Sequence, residues 1–278
     1  MYTIPPAFSD FISPDCDRSR FIQDYLKAGG IDCAIMSMEG KNHIYVKFPK
    51  SQYNPMFRIK TVIAHYDRIG IGANDNSAAV FCLMEWARSL GSLREPQGPH
   101  VQHRPHVQHN IRLIFTDGEE LGEGGGVKEQ GAFPLAQMFR RLGITNDDIF
   151  VFDCMGRGEV PILSQPTVPP KVSTSFLQSY SELEARARTL LQTASDGHWF
   201  YLPCNYSDNA SFIANGIPAV AVTLLPSDEV QEVVAGRQPQ TWKLFHTPQD
   251  NLSSLNPASF ELFHKILNLL AAMKTLNQ

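Results

Sequence analysis

The stretch TVIAHYD, residues 61–67, runs through four apolar or β-branched residues and then changes abruptly to a histidine and an aspartate. A short apolar run without polar alternation is typical of a strand buried on both faces. Three further runs share this character, namely IRLIFTD at 111–117, IFVFDC at 149–154 and AVAVTLL at 219–225. Together they predict an α/β protein, in which helices cover both faces of a central sheet.

Helical patterns lie before, between and after these strands. Residues 76–90, NSAAVFCLMEWARSL, are apolar nearly all round and predict a helix packed on both sides. Residues 17–30 predict a helix that ends at a pair of glycines. In the segment 256–276, Asn256 is a candidate N-cap and Pro257 a candidate first helical residue. We expect this last helix to close the core.

Composition limits the class of protein. The 278 residues are 43% hydrophobic and 19% charged, with a formal charge of −4, so neither nucleic acid nor an anionic membrane is an expected partner. Five widely spaced cysteines predict mostly buried thiols rather than a disulfide framework. No run approaches the roughly 20 apolar residues of a membrane span, and the start of the chain lacks a signal-peptide pattern. We therefore expect a soluble, cytoplasmic protein.

Domain organisation follows from the absence of a long linker or a change in composition. We expect one domain over 1–278, with a His-rich loop insertion at about 95–110 and inserted elements in the loop-rich region 155–215.

Histidines and acids follow the apolar strands or stand in adjoining loops. Open α/β sheets bind ligands beyond the carboxyl ends of their strands. Two histidines with several carboxylates suit Zn²⁺ or a similar divalent ion, and the acids outnumber the ligands of one tetrahedral zinc. The pattern predicts a two-metal site. Its segments are AHYD at 64–67, GANDN at 72–76, DGEE at 117–120, VFDC at 151–154 and LFHTPQDN at 244–251.

Each of these residues also has a simpler explanation when it is taken alone. His65 would be a hydrogen-bonded, partly buried histidine, and Asp75 a helix cap. Glu119 and Glu120 would be an acidic helix start, favoured by the helix dipole. Asp153 has two acidic neighbours, at 147 and 148, but it alone directly ends an apolar run. The order of the whole set favours the metal site.

The ordered set resembles the zinc aminopeptidases of peptidase family M28. It consists of His65-x-Asp67, Asp75, Glu119-Glu120, Asp153 and His246, and the resemblance spans residues 61–253. The resemblance implies a mixed, largely parallel central sheet with helices on both faces, the zinc-exopeptidase or phosphorylase/hydrolase-like fold. It also implies two zinc ions per chain, although cobalt or manganese stays open, and peptide substrates with a free N-terminus.

The resemblance implies a role for each ligand. Asp75 would bridge both zinc ions. His65 and Asp153 would complete the protein ligands of one ion, and Glu120 and His246 those of the other.

The resemblance also implies roles for two residues that do not bind the ions. Glu119, bound to neither ion, would be the general base and acid acting on a zinc-bound water. Asp67 would accept the second imidazole N–H of His65 and fix its orientation. The family also implies a cis peptide bond between Asp75 and Asn76.

The expected function is therefore a metallo-aminopeptidase that hydrolyses the N-terminal peptide bond. Two alternatives stay open: a glutaminyl-cyclase-like acyltransferase with one zinc, and a non-catalytic peptide-binding module on a peptidase fold. The chain reads Ser207-Asp208-Asn209 where the family commonly has Ser-Asp-His, and LGEGGG at 121–126 where it commonly has a Gly-Leu-x-Gly-Ser type sequence. These departures leave the side-chain preference and the physiological substrate open.

Aromatic residues supply further candidates. Phe200, Tyr201 and Phe212 would line a substrate pocket or pack in the core. Tyr206 would pack or donate to an oxyanion.

A histidine repeat, GPHVQHRPHVQHN at 98–110, places His100, His103, His106 and His109 at intervals of three. A polyproline II run would align them along one edge. We expect a tolerated surface insertion, with the catalytic metals elsewhere and weak metal binding by the repeat left open.

Overall fold

A computed structural model of the chain describes residues 2–92, 109–120, 125–205 and 207–277. In these residues one sheet of eight strands runs through the molecule. Along the chain the strands are β1 Asp32–Met38, β2 Lys41–Lys47, β3 Lys60–His65, β4 Ile111–Thr116, β5 Asp148–Phe152, β6 Val160–Ser164, β7 Phe200–Leu202 and β8 Ala219–Leu225.

The strand order is β1-β2-β4-β3-β5-β8-β6-β7. The four central strands β4, β3, β5 and β8 are parallel neighbours, and β6 pairs with β7 in parallel. The pairs β1–β2, β2–β4 and β6–β8 are antiparallel. This confirms the predicted mixed, largely parallel sheet.

Helices cover both faces of the sheet. Successive residues of β3 point to opposite faces, so that Val62 and Ala64 join one core cluster and Ile63 joins another. The larger cluster packs α1, α2, α3, α5 and α9 on the sheet, and the smaller one packs α4 and α6. The helices are α1 Pro6–Phe11, α2 Arg18–Ala28, α3 Ala79–Ser92, α4 Ala132–Arg141, α5 Thr174–Ala194, α6 Asn209–Ala214, α7 Ser227–Val234, α8 Gln240–Leu244 and α9 Pro257–Ala272.

The three helices expected from the sequence are confirmed. Helix α2 ends at Gly29, and α9 begins with Pro257 after Asn256, whose side chain accepts a hydrogen bond from the Ala258 N–H at 3.0 Å. The region 155–215 is more regular than expected, because it contains the 21-residue helix α5. Ser173 caps that helix by accepting from the Phe176 N–H at 3.1 Å.

Other expectations concern thiols, membrane spans and the histidine repeat. All five cysteines are free. Within the described ranges, no helix has the length and hydropathy needed to cross a membrane. His100, His103 and His106 lie outside the described residues, whereas His109 is 6% exposed and directly precedes Asn110, next to β4.

Candidate metal centre

The predicted ligands converge at the carboxyl ends of the central parallel strands. His65 is the last residue of β3, and Asp153 directly follows β5. Glu119 and Glu120 follow β4 within four residues. Because β4, β3 and β5 are parallel neighbours, these ends meet at one edge of the sheet.

Two loops bring the remaining ligands to the same place. Asp75 lies in the irregular segment Ala73–Ala78 that leads into α3. His246 lies after α8 with a positive φ of 60°. The resulting arrangement joins residues that are up to 181 positions apart in the chain, as His65 and His246 are.

The ligand atoms form two triplets that share Asp75. In the first, His65 Nε2 lies 3.3 Å from Asp75 Oδ1 and 3.4 Å from Asp153 Oδ1. In the second, His246 Nε2 lies 2.7 Å from Glu120 Oε2 and 3.6 Å from Asp75 Oδ2. Each oxygen of the Asp75 carboxylate therefore faces a different histidine, an arrangement that suits a carboxylate bridging two cations.

Asp250 holds the backbone of the shared carboxylate in place. Its two side-chain oxygens accept from the N–H groups of Asn74, at 2.7 Å, and Asp75, at 3.1 Å. The peptide bond between Asp75 and Asn76 is cis, as predicted. Asp250 was not predicted as a site residue, although it lies in the motif LFHTPQDN, four residues after His246.

The asparagine after Asp75 ties this loop to the strand that carries Asp153. The Asn76 side-chain amide donates to the Phe152 carbonyl at 3.0 Å and accepts from the Cys154 N–H at 3.1 Å. Both flanks of Asp153 are thus fixed by one side chain. In the sequence, Asn76 is only the last residue of the triplet Asn74-Asp75-Asn76, and no spacing in that triplet indicates this contact.

Asp67 makes different contacts from those expected. Its carboxylate accepts from the backbone N–H groups of Glu119, at 3.2 Å, and Glu120, at 2.9 Å. His65 Nδ1 lies 3.6 Å from Asp67 Oδ1, which is longer than a hydrogen bond. Although burial raises the Asp67 pKa, His65 and the two backbone donors together lower it to about 2. The anion therefore positions the acidic pair and faces the imidazole.

Glu119 lies beside the triplets and belongs to neither of them. Its Oε1 accepts from Gln130 Nε2 at 2.9 Å, and Gln130 Oε1 accepts from Ser211 Oγ at 2.8 Å. Burial raises the Glu119 pKa well above its ordinary value, with the carboxylates of Asp153 and Asp208 adding to the effect. Burial and the neighbouring carboxylates therefore favour the protonated form of Glu119 over the ionised form.

The residues fit divalent cations. Both ring nitrogens of His65 and Oε1 of Glu120 are buried without a hydrogen-bond partner. Burial and the nearby Asp75 raise the pKa of Glu120 to about 8. Within the described ranges, no lysine or arginine forms an ion pair with Asp75, Glu119, Glu120 or Asp153. Nitrogen and carboxylate donors with this excess of negative charge match the chemistry of Zn²⁺ sites.

One further buried acid adjoins the centre. Asp208 is fully buried, and its Oδ2 accepts from Thr116 Oγ1 at 2.5 Å. Burial raises its pKa to about 7. Asp208 belongs to the Ser-Asp-Asn departure noted in the sequence, and Tyr206 just before it lies outside the described residues.

A small cavity of about 40 Å³ opens beside Asp153, and its aromatic walls are Trp242 and Phe245. The expected aromatic residues are elsewhere. Phe212 packs edge-on against Phe139 in the core, with ring centroids 5.5 Å apart, and Tyr201 donates to Glu184 at 2.8 Å. Phe200 packs beside a third core cluster, formed by Val160, Ile162, Leu225, Val230 and Val233. The full lining of the cavity beside Asp153 is Asp153, Cys154, Ser164, Cys204, Asn205, Ser207, Ala221, Val222, Thr223, Trp242 and Phe245.

Comparisons with known proteins agree on the family and fold. The model of peptidase family M28 matches residues 44–271. A search of curated protein sequences finds no significant match.

Three solved structures illustrate the range of similar folds. The LapA aminopeptidase of Legionella pneumophila has a TM-score of 0.66 at 14% identity, covering 100% of this chain and 78% of that one. A leucine aminopeptidase precursor from Bacteroides thetaiotaomicron gives 0.66 at 16%, covering 99% and 100%. The glutaminyl cyclase of Porphyromonas gingivalis gives 0.64 at 16%, covering 96% and 94%. At these identities the likeness concerns the fold, which an aminopeptidase and a cyclase share.

Proposed function

Because this chain belongs to peptidase family M28, we propose that it is a zinc-dependent aminopeptidase that removes the N-terminal residue of peptides. One observation carries the proposal. Asp75 belongs to two ligand triplets, and Glu119 lies next to both without belonging to either. A site with two complete ligand sets and a free neighbouring carboxylate suits hydrolysis.

The ligand set would be His65, Asp75 and Asp153 for one zinc ion and Asp75, Glu120 and His246 for the other. When bound, the two ions would polarise the scissile carbonyl, make water more acidic and attract the free amine of the substrate.

Glu119 would perform the proton transfers. Its carboxylate takes the proton of the attacking water and later delivers it to the nitrogen of the departing amine. Gln130 donates to Glu119 Oε1 and so holds the carboxylate in one orientation, leaving Oε2 for the reaction. Asp67 fixes the backbone of the same residue from the other side.

A glutaminyl-cyclase-like acyltransferase with one zinc is the second candidate. It is favoured by the similarity to the Porphyromonas gingivalis enzyme, which extends over 94% of that chain. We prefer the aminopeptidase because His65 and Asp153 complete a second ligand set with Asp75.

The same proposal includes the setting of the enzyme. Five free thiols suit a reducing compartment, and we infer that the protein acts on free peptides in the cytoplasm. A net charge of −4 favours neither nucleic acid nor an anionic membrane as its partner.

The decisive experiment compares free-amine and N-blocked aminoacyl chromogenic substrates before chelation, after chelation and after zinc is restored. The panel includes a peptide that begins with glutamine, for which both ammonia release and peptide cleavage are measured. We expect metal-reversible cleavage of free-amine substrates only. Ammonia release without peptide cleavage would instead assign the cyclase activity. Folded, zinc-loaded protein that does neither would contradict both enzymatic functions and favour a binding module.

A further inference from the structure

A second group of metal-ligating side chains lies between α3 and α9. Cys82 and Glu85 are three residues apart on α3, so they share one face of that helix, and His264 projects from α9. One donor atom from each residue lies within 4.8 Å of the other two, as in the two triplets of the candidate metal centre. We refer to these three residues as the helix-pair cluster.

The separation of the imidazole and the carboxylate suits a small tetrahedral ion. His264 Nε2 lies 3.3 Å from Glu85 Oε2, which also accepts from the Tyr2 hydroxyl at 2.6 Å. Metal–ligand bonds of about 2.0–2.3 Å place the donors of a tetrahedral zinc roughly 3.5 Å apart. Small side-chain rotations would therefore bring the cluster to coordinating geometry.

The three residues of the helix-pair cluster differ in their exposure to solvent. Cys82 is completely buried, whereas the side chains of Glu85 and His264 are 23% and 24% exposed. An ion can therefore enter from solvent past the carboxylate and the imidazole and meet the thiol below them. Tyr2 closes one side, because its ring stacks on Phe260 with centroids 5.3 Å apart.

We propose that Cys82, Glu85 and His264 bind a structural zinc ion, in addition to the ions of the candidate metal centre. The fourth position is left to water or to the Tyr2 hydroxyl. The bound form has a thiolate, a carboxylate and a neutral imidazole around a dication, so the site is neutral, and the thiol proton is released to solvent. A thiolate and an imidazole are donors that zinc favours.

The ion would link two helices of the larger core cluster. Helix α3 begins at Ala79, four residues after the shared ligand Asp75, and α9 closes the core at the end of the chain. Zinc that binds only the folded state stabilises it by mass action. We therefore expect the helix-pair cluster to contribute to stability without contacting the substrate.

Cobalt substitution tests the site with a specific signal. The two triplets of the candidate metal centre contain only nitrogen and oxygen donors. A near-ultraviolet thiolate-to-cobalt charge-transfer band in the full-length, Co²⁺-reconstituted protein would therefore report on the helix-pair cluster. We expect the band in the wild type, together with one more equivalent of metal than in Cys82→Ala by elemental analysis.

Matched variants make the test decisive. Cys33→Ala removes a half-buried thiol from β1 and should keep both the band and the extra equivalent. His264→Gln, at a partly exposed position, should lose the extra equivalent even if Cys82→Ala folds poorly.

The proposal is overturned if the wild type lacks the band, or if the band persists in Cys82→Ala and so comes from another thiol. Equal metal content in the wild type and folded His264→Gln would overturn it too. Aminopeptidase activity should survive both cluster substitutions, so failure of this site and failure of the proposed function give different results.

Discussion

Strands β3 and β5 begin among buried charges that arginines and backbone carbonyls pair, and they end among acids whose partners in the described residues are histidines. At the beginning, Asp148 accepts from Arg186 at 2.7 Å and lies 3.7 Å from Arg58. Lys60 Nζ donates to the carbonyl oxygens of Ala271, at 3.1 Å, and Met273, at 2.5 Å. These contacts connect the sheet to α5 and to the end of α9.

At the opposite ends of the same strands, Asp153 and its neighbours face histidines and one another. Burial raises the pKa of Glu120 to about 8, and its ion-pair partner among the described residues is His246 Nε2, at 2.7 Å, rather than an arginine or lysine. A buried charge without a partner destabilises the fold unless a ligand compensates it. One end of the sheet therefore has charges that the protein pairs internally, and the other end has acids and histidines that suit divalent cations.

Removing the shared ligand should give the largest effect. Asp75→Asn takes one ligand from each triplet, so we expect loss of metal from both and a fall in kcat of roughly 10³-fold or more, because bound metal supplies several kcal/mol of transition-state stabilisation. Metal content and kcat are measured after dialysis against zinc. Asp228→Asn, an exposed acid in the first turn of α7, is the control. Retained metal and activity in Asp75→Asn would show that the two ends do not differ as argued.

Glu119→Gln should separate catalysis from metal binding at the carboxyl ends of the strands. We expect kcat to fall by about 10²–10⁴-fold, the usual contribution of general acid–base catalysis, with the metal content unchanged. Steady-state kinetics on the zinc-loaded variant check this. Glu129→Gln, at an exposed position, should retain wild-type kinetics. Near-normal turnover in Glu119→Gln would remove this residue from the mechanism.

A substitution at the beginning of β5 should lower stability and leave kcat unchanged. Asp148→Asn leaves Arg186 and Arg58 without their buried partner, and we expect the free energy of unfolding to fall by about 3 kcal/mol while the folded protein keeps its kcat. Urea unfolding measures the change. Asp24→Asn removes an exposed pair with Arg20 and should have little effect. A catalytic defect in folded Asp148→Asn would show that Asp148 also affects the site at the opposite end of β5.

The last expected effect appears only at alkaline pH and concerns Lys60. Burial lowers its pKa from 10.5 to about 8, against the attraction of Asp148 and with help from Lys274. Between about pH 8 and 10.5 the unfolded chain therefore binds the proton that folded Lys60 has lost, so this position adds stability as the pH rises. Unfolding free energies of the wild type relative to Lys60→Met should increase across that window. A constant difference would show that Lys60 stays charged.

Local sequence patterns predicted much of the fold. The apolar run before His65 and the runs at 111–117, 149–154 and 219–225 all form strands of the parallel centre. Helix α5 was missed, although Phe176, Tyr180 and Leu183 follow a helical spacing after the Ser173 cap.

The sequence predicted the residues of the candidate site but not the residues that hold them in place. The five predicted ligands form the two triplets, Asp67 contacts both Glu119 and His65, and the predicted cis peptide is present. Asp250 and Gln130, which hold Asp75 and Glu119, were not chosen because a hydrogen bond between distant segments leaves no local spacing in the sequence. Asp67 was expected to bind His65, but its hydrogen bonds go to the backbone of the acidic pair.

The sequence by itself determined the strands, the α/β class, the family resemblance and the acids that follow the strands, because periodicity and residue type are local properties. Only the tertiary structure decided which acids are paired. Asp147, Asp148 and Asp153 lie within seven residues, yet the first two face arginines at the beginning of β5, and the third faces His65 at its end. A strand rises about 3.3 Å per residue, so five residues carry the chain from one edge of the sheet to the other. The arginines and the histidine that pair with these acids come from distant segments of the chain.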